Sequence, residues 1–161
     1  MPRFILSLFC GLAMVGLTRC KSSPAVTAFK PEADEVMQQR LRWMIGYWYG
    51  NQPTKNGGRK QWIIHRTADG HFTITFKVDD PVEGKIEQFE SGVWGVSGKY
   101  YAAFTTSIGS AATIHSTPPL KSSLWDIYRI HNLTENELHY SSVETGNHYK
   151  SRRVSADFRM P

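Results

Sequence analysis

Residues Met44–Gly50 read MIGYWYG and contain the triplet Gly46-Tyr47-Trp48. The pattern of the chain changes at this point. Before it, apolar residues recur at helical spacing; after it, they alternate with a period of two. Upstream, Pro31–Trp43 reads as a helix. Pro31 suits a first helical position, Glu32, Asp34 and Glu35 crowd the first turn, and Arg40 and Arg42 the last, as the helix dipole favours. Ala33, Met37, Leu41 and Met44 form its apolar stripe. Such a Met-rich stripe packs a core far more often than it touches a cofactor.

Downstream, strands are expected at Tyr47–Gln52, Arg59–Arg66, His71–Val78, Lys85–Val96, Lys99–Thr106, Leu124–Leu133, Glu137–Glu144 and Asn147–Val154. His71–Val78 is the clearest, with Phe72, Ile74, Phe76 and Val78 on one face. The alternation breaks at Ser91-Gly92, which points to a bulge or bend. Ser107–Ser123, rich in Ser, Ala, Thr and Pro, reads as a long functional or mobile loop. Residues from Ser155 onward form a tail. Short turns force antiparallel neighbours. A strongly twisted sheet of this size removes its edges by closing. A two-sheet sandwich is the competing architecture, but Ser107–Ser123 is the one connection long enough to serve as its crossover.

The helix, Gly46-x-Trp48 and the eight meandering strands span residues 31–154. Together they resemble the lipocalin-like branch of the calycin superfamily. The resemblance implies an all-β fold: an eight-stranded antiparallel up-and-down barrel preceded by a short helix. It also implies that Trp48 packs at the closed end with an arginine of the last strand across it. Arg152 and Arg153 both match, and Arg153 is preferred. In this reading Gly46, Trp48 and Arg153 are structural and do not touch ligand. The chain departs from lipocalins proper in lacking a disulfide and a clear second motif.

The first twenty residues differ from the rest. Phe4–Leu17 is an uncharged run of 14 residues behind Arg3. That is short of the roughly 20 needed to cross a bilayer and suits an export signal. Leu17-Thr18-Arg19-Cys20 resembles a bacterial lipobox, with Arg19 where a small residue is usual, and would make Cys20 the lipidated residue. Cleavage after Val26-Thr27-Ala28 is the open alternative. The expected organisation is an export signal at 1–20, a tether at 21–30 and the barrel domain at 31–161. The expected location is the periplasm or outer membrane, with any membrane contact made through a lipid anchor at Cys20.

Both cysteines, Cys10 and Cys20, fall in the leader, so the body has no disulfide and no Cys-based metal site. With 40% hydrophobic and 20% charged residues the composition is that of an ordinary globular domain. The formal charge is +5; removing residues 1–19 takes away Arg3 and Arg19 and leaves 17 basic against 14 acidic side chains. Without a dense basic patch, nucleic acid is not an expected partner.

If the sixth and seventh strands turn about Glu135, Ile130 faces Tyr140, Tyr128 faces Ser142 and Asp126 faces Glu144. Ile130 and Tyr140 should point inward, taking Asp126 and Glu144 with them, and Glu90 and Trp94 can join from the fourth strand. Opposed carboxylates are unfavourable without a cation or a proton between them. They can orient a ligand or act as an acid/base pair; they can equally lie at a wet rim or be neutralised by an arginine. The expected ligand-contacting set is Glu90, Trp94, Phe104, Asp126, Tyr128, Tyr140 and Glu144. Trp62, Phe72, Phe76, Phe89, Tyr100 and Tyr101 complete an aromatic set that either lines a pocket or fills the barrel.

The same register sets His131 opposite His139. Two imidazoles fall short of a zinc site, and exposed hairpin histidines are the plainer reading. His148 is the best candidate for an inward histidine that could carry haem. No nucleophile elbow, phosphate loop or dinucleotide fingerprint occurs, so neither catalysis nor a cofactor nor a metal is expected. The expected function is non-catalytic binding of a small hydrophobic or amphipathic molecule in the barrel. The alternative is a protein-binding module with a filled barrel, acting as an inhibitor, immunity or envelope-assembly factor.

Overall fold

The computed structural model describes residues 31–110, 113–116 and 124–161. The export signal, Cys20 and the tether lie outside the described residues, as does part of the Ser107–Ser123 segment. One helix, α1 (Pro31–Met44), precedes β1 (Gly46–Pro53), β2 (Arg59–Arg66), β3 (His71–Asp80), β4 (Gly84–Ser97) and β5 (Tyr100–Ser110). Then come β6 (Thr113–Ser116), β7 (Trp125–Leu133), β8 (Glu137–Ser142) and β9 (His148–Val154).

Strands β1 to β5 pair in sequence, β5 pairs with β7, and β7, β8 and β9 follow in turn. The ring closes where β1 meets β9, with Trp48 opposite Arg153. This is a closed, eight-stranded antiparallel barrel of lipocalin-like form, and the sandwich is excluded because the two chain-terminal strands pair with each other. Strand β6 stands outside the count. It pairs with the last residues of β5, Ser107–Ser110, while the first, Tyr100–Phe104, pair with β7.

The Ser107–Ser123 segment is therefore not simply a loop, since it carries the end of β5 and all of β6. Its strand character is hard to see because its large apolar residues, Ile108, Ile114 and Leu120, lie six residues apart, too sparse for an alternation to register. The expected break at Ser91-Gly92 is a real change of register between β4 and β5, with Ser91 opposite Ser107 but Gly92 opposite Thr105. Thr106 is the extra residue of this bulge.

Helix α1 lies across one end of the barrel. Leu41 and Met44 pack into the core from above, and Arg40 reaches the Gly98 carbonyl in the β4–β5 turn. Gly46 ends the helix with φ of +109°, a backbone state that a side chain disfavours. A Cβ there would also stand 2.6 Å from Arg153 Nη1. Trp48 is fully buried and donates its indole N–H to the Met44 carbonyl at 3.0 Å. Arg153 lies over the Trp48 ring at 4.6 Å. It donates to the Trp43 and Ile45 carbonyls at the helix end and to Glu135 in the β7–β8 turn. One guanidinium thus satisfies carbonyls that the helix end leaves orphaned and closes the seam of the barrel.

Arg152, the other candidate, points outward. Its guanidinium covers Tyr49 at 5.2 Å and Phe158 at 4.9 Å. Phe158 belongs to the C-terminal segment, which folds back over the outer face of β1 and buries Tyr49 there. The two outward positions on β1 and β2 are tied by Gln61, which donates to the Tyr49 hydroxyl at 2.8 Å.

Candidate functional site

In a strand, alternate side chains face opposite sides, so register and burial together assign the interior. On β2 the inward residues are Lys60, Trp62, Ile64 and Arg66, paired with Val78, Phe76, Ile74 and Phe72 of β3. On β4 they include Gln88, Glu90, Gly92 and Trp94, and on β5 Tyr101, Ala103 and Thr105. The turns β2–β3, β4–β5 and β7–β8 lie at the end covered by α1. The turns β1–β2, β3–β4 and β8–β9 lie at the opposite end, which no helix crosses among the described residues.

Polar groups gather toward that opposite end. Glu90 is half-buried; it accepts hydrogen bonds from Gln88 and from Thr105 Oγ1, the latter at 3.3 Å. Burial, with Asp126 adding repulsion, raises its carboxyl above the ordinary glutamate range. Asp126 is likewise raised, first by burial and then by Glu144, while the Tyr128 hydroxyl and Lys60 oppose the shift. Lys60 acts on both carboxylates, and its Nζ sits over the Phe76 ring at 4.7 Å. The interior therefore holds two carboxylates within electrostatic range of one lysine, beside a wall of tyrosines. Tyr128 stacks on Tyr101 at 5.3 Å and meets Tyr140 and Tyr149 edge-on at 5.1 and 5.9 Å. Burial pushes the phenols of Tyr128 and Tyr140 well above the usual tyrosine range, so both remain hydrogen-bond donors at neutral pH.

Several expected site residues sit elsewhere. Phe104 faces outward, against the reading that placed it among the ligand contacts. Its ring packs on Trp125 at 4.5 Å on the outer surface of β5 and β7. Two alanines, Ala102 and Ala103, hide the parity of this strand, and Tyr101 takes the inward place instead. Phe89 and Tyr100 likewise fall on outward positions, because Gln88 and Glu90 on β4 and Tyr101 on β5 take the inward ones.

Glu144 is not a strand residue opposite Asp126. Strand β8 ends at Ser142, where Gly146 N donates to the Ser142 carbonyl and turns the chain, so Glu144 stands exposed at the rim. Trp94 is inward, but its indole N–H goes to the Thr67 carbonyl at the end sealed by α1. Tyr140 is inward and buried within the core cluster.

The pairs Ile130–Tyr140 and Tyr128–Ser142 form as expected. The expected pair of His131 with His139 does not, because a bulge follows Ile130 and His139 opposes Asn132. The β7–β8 turn is closed by Thr134 N to the Glu137 carbonyl, which needs one residue more on β7 than a simple register allows. His131 instead stacks on His148 at 5.4 Å, and both are exposed. His148 is thus not the inward histidine that haem would require. Among the described residues no three His, Cys, Asp or Glu side chains converge as metal ligands.

Sequence reasoning passed over Lys60, Thr105 and Arg66. The signal for Arg66 is its parity with Trp62 and Ile64; an arginine at a strand end reads otherwise as a solvated terminus. No protein-family model matches the chain, and no curated protein matches it.

The raised carboxyl of Glu90 has a consequence for stability. The folded state binds this proton more tightly than the unfolded chain does. Its contribution to stability is therefore complete below the unfolded value and is lost as pH rises through the folded one. Glu90→Gln is expected to melt higher than the parent protein at pH 7, with the gap closing toward about pH 3, where the carboxyl is protonated in both states. A gap that does not change with pH counts against a desolvated carboxylate at this position.

Proposed function

We propose that this chain is an exported, lipocalin-like envelope protein that holds a small hydrophobic or amphipathic molecule inside its barrel without catalysing a reaction on it. One observation carries the reading. The barrel is shut at one end by α1, Trp48 and Arg153, while the polar groups Lys60, Glu90, Thr105 and Asp126 are grouped toward the other, beside tyrosines. Aromatic walls supply apolar burial at about 25 cal/mol per Å2, and a few placed polar groups fix orientation. The uncharged run Phe4–Leu17 supports export, and Cys20 offers a point of lipid attachment.

The expected result is that organic extraction of the purified protein releases a lipid detectable by mass spectrometry. Adding it back to the delipidated protein should quench tryptophan fluorescence. Trp62 and Trp94 are inward and buried, whereas Trp125 is exposed on the outer wall. Trp62→Phe should therefore diminish the quenching and Trp125→Phe should leave it. Protein that releases no lipid and shows no quenching with any long-chain amphiphile ends this reading.

The alternative, a protein-binding module with a filled barrel, has one observation in its favour. Trp125, Ile127 and Val143 are 54%, 50% and 57% exposed along the outer face beside Phe104. Exposed apolar stripes of this kind mark protein contacts. A partner recovered from envelope extracts, and lost on Trp125→Ser, would favour it.

A further inference from the structure

The outer wall formed by β4, β5 and β7 is apolar where the outside of an antiparallel barrel is usually polar. Val93 of β4 is opposite Phe104 of β5, and Phe104 is opposite Trp125 of β7. The next outward rung sets Ala102 beside Ile127, and Val143 joins it by donating its N–H to the Ile127 carbonyl. Val93, Trp125, Ile127 and Val143 are all exposed. The stripe ends toward α1 in an exposed Tyr100, opposite Arg129 and with Lys99 Nζ 5.6 Å from its ring centre. Lys99 and Arg129 are exposed, and among the described residues neither enters an ion pair. Two carboxylates stand at the other margins: Glu144 follows Val143, and Asp69 lies 3.1 Å from His71, which is opposite Val93. Helix α1 packs on β4 and β7, the strands that flank the stripe, so the helix through which the chain enters the barrel belongs to this side of it.

We propose that this wall docks on the surface of an anionic bilayer. Lys99 and Arg129 meet the headgroups, with Tyr100 beside them, and Trp125 and Ile127 reach the boundary of the acyl chains. Aromatic rings and long basic side chains around an aliphatic centre suit that boundary, because each has an apolar body and a polar end. The fixed charge at the end nearest α1 is positive, which selects an anionic surface over a neutral one. The position of the anchor favours a bilayer over another protein. Ten residues separate Cys20 from Pro31 and span at most about 40 Å, so a lipid on Cys20 keeps this wall within reach of the membrane. A contact too weak to hold a free protein then suffices, since the second attachment is intramolecular. Docking of the wall adds to the envelope reading the face that meets the membrane, and it rests on that reading for the tether alone.

The test uses the full chain with vesicles of phosphatidylcholine, alone or in equal parts with phosphatidylglycerol, made with and without brominated acyl chains. Bromine quenches a tryptophan only on contact within the bilayer. The Trp125 signal is the difference between each protein and its Trp125→Phe counterpart. Quenching is expected on the anionic vesicles. Trp125→Phe should remove most of it, and Trp62→Phe, which alters an indole inside the barrel, should retain it. Lys99→Gln and Arg129→Gln should each lower the ratio of quenched to unquenched Trp125 roughly fivefold, the factor for one basic residue at an anionic surface. The apolar run Phe4–Leu17 adds vesicle affinity equally to every variant, so the position of Trp125 is read and not total binding. Before vesicles are added, acrylamide should quench Trp125 freely. A Trp125 shielded from acrylamide overturns the proposal, because protein then already covers the wall. So does a chain that does not bind vesicles, a bound chain whose Trp125 escapes bromine, or equal quenching on neutral and anionic vesicles. Quenching lost in Trp62→Phe instead of Trp125→Phe puts lipid inside the barrel; it overturns the docking and leaves the ligand reading standing. Docking by a chain that releases no lipid on extraction supports the proposal and ends the ligand reading. Should Trp62→Phe fail to fold, Trp94→Phe is the buried control.

Discussion

Arg153→Ala is expected to lower the unfolding free energy by about 3 kcal/mol or more. The side chain acts in two ways. Its flat face covers Trp48 at 4.6 Å, and its N–H groups reach the carbonyls of Trp43, Ile45 and Glu135. Cation–π contacts contribute roughly 0.5–2 kcal/mol, and hydrogen bonds from a charged donor about 1.5–3 each. Some carbonyls will recover water, so the sum is not additive. Removing the guanidinium also uncovers Trp48 and frees the end of α1 at the same time. Urea denaturation followed by far-UV circular dichroism measures the loss. Arg152→Ala is the matched control: the neighbouring guanidinium is exposed on the outer wall over Tyr49 and Phe158, and its removal should cost under about 1 kcal/mol. Equal losses for the two variants would mean that Arg153 does not close the barrel seam.

Gly92→Val should cost a comparable amount, about 3 kcal/mol. The reason is space and not dihedral angle, since Gly92 is not among the glycines with positive φ. At the bulge the two strands come so close that a Cβ on Gly92 would run into the Phe104 carbonyl and stand 2.9 Å from the Phe72 ring. A backbone carbonyl cannot rotate aside as a flexible side chain does, so β4 and β5 must part. Gly95→Ala, three residues on in the same strand, meets nothing within 4 Å and is expected to be neutral or slightly stabilising. The pair separates close approach from any general need for glycine in β4. Thermal melts that place both variants together would remove the bulge as the cause.

Local alternation depends only on neighbours in the chain, and it carried the strands, the helix and the all-β class. His71–Val78 announces its buried face through four apolar residues at even spacing, and no tertiary contact is needed to read it. The arginine over Trp48 was legible because Gly46-x-Trp48 and the last strand bear a family resemblance. The choice between Arg152 and Arg153 follows from parity once β9 is set against β1. The hairpin of β7 and β8 was readable near its centre, at Ile130 and Tyr140, and misread at His131. A bulge shifts one strand by a residue and sends every later side chain to the other face.

What the chain determined alone was its periodicity: one short helix, then strands joined by turns too short for anything but antiparallel neighbours. Only the closed structure decided which parity faces inward on β5, that β6 pairs with the end of that strand, and that Arg66 is buried over Tyr101 with its Nε and Nη1 lacking hydrogen-bond partners among the described residues. The physical reason is that closure is a non-local condition. The register at the β1–β9 seam and the bulges at Gly92 and His131 together set every inward position, and no stretch of sequence contains that information by itself.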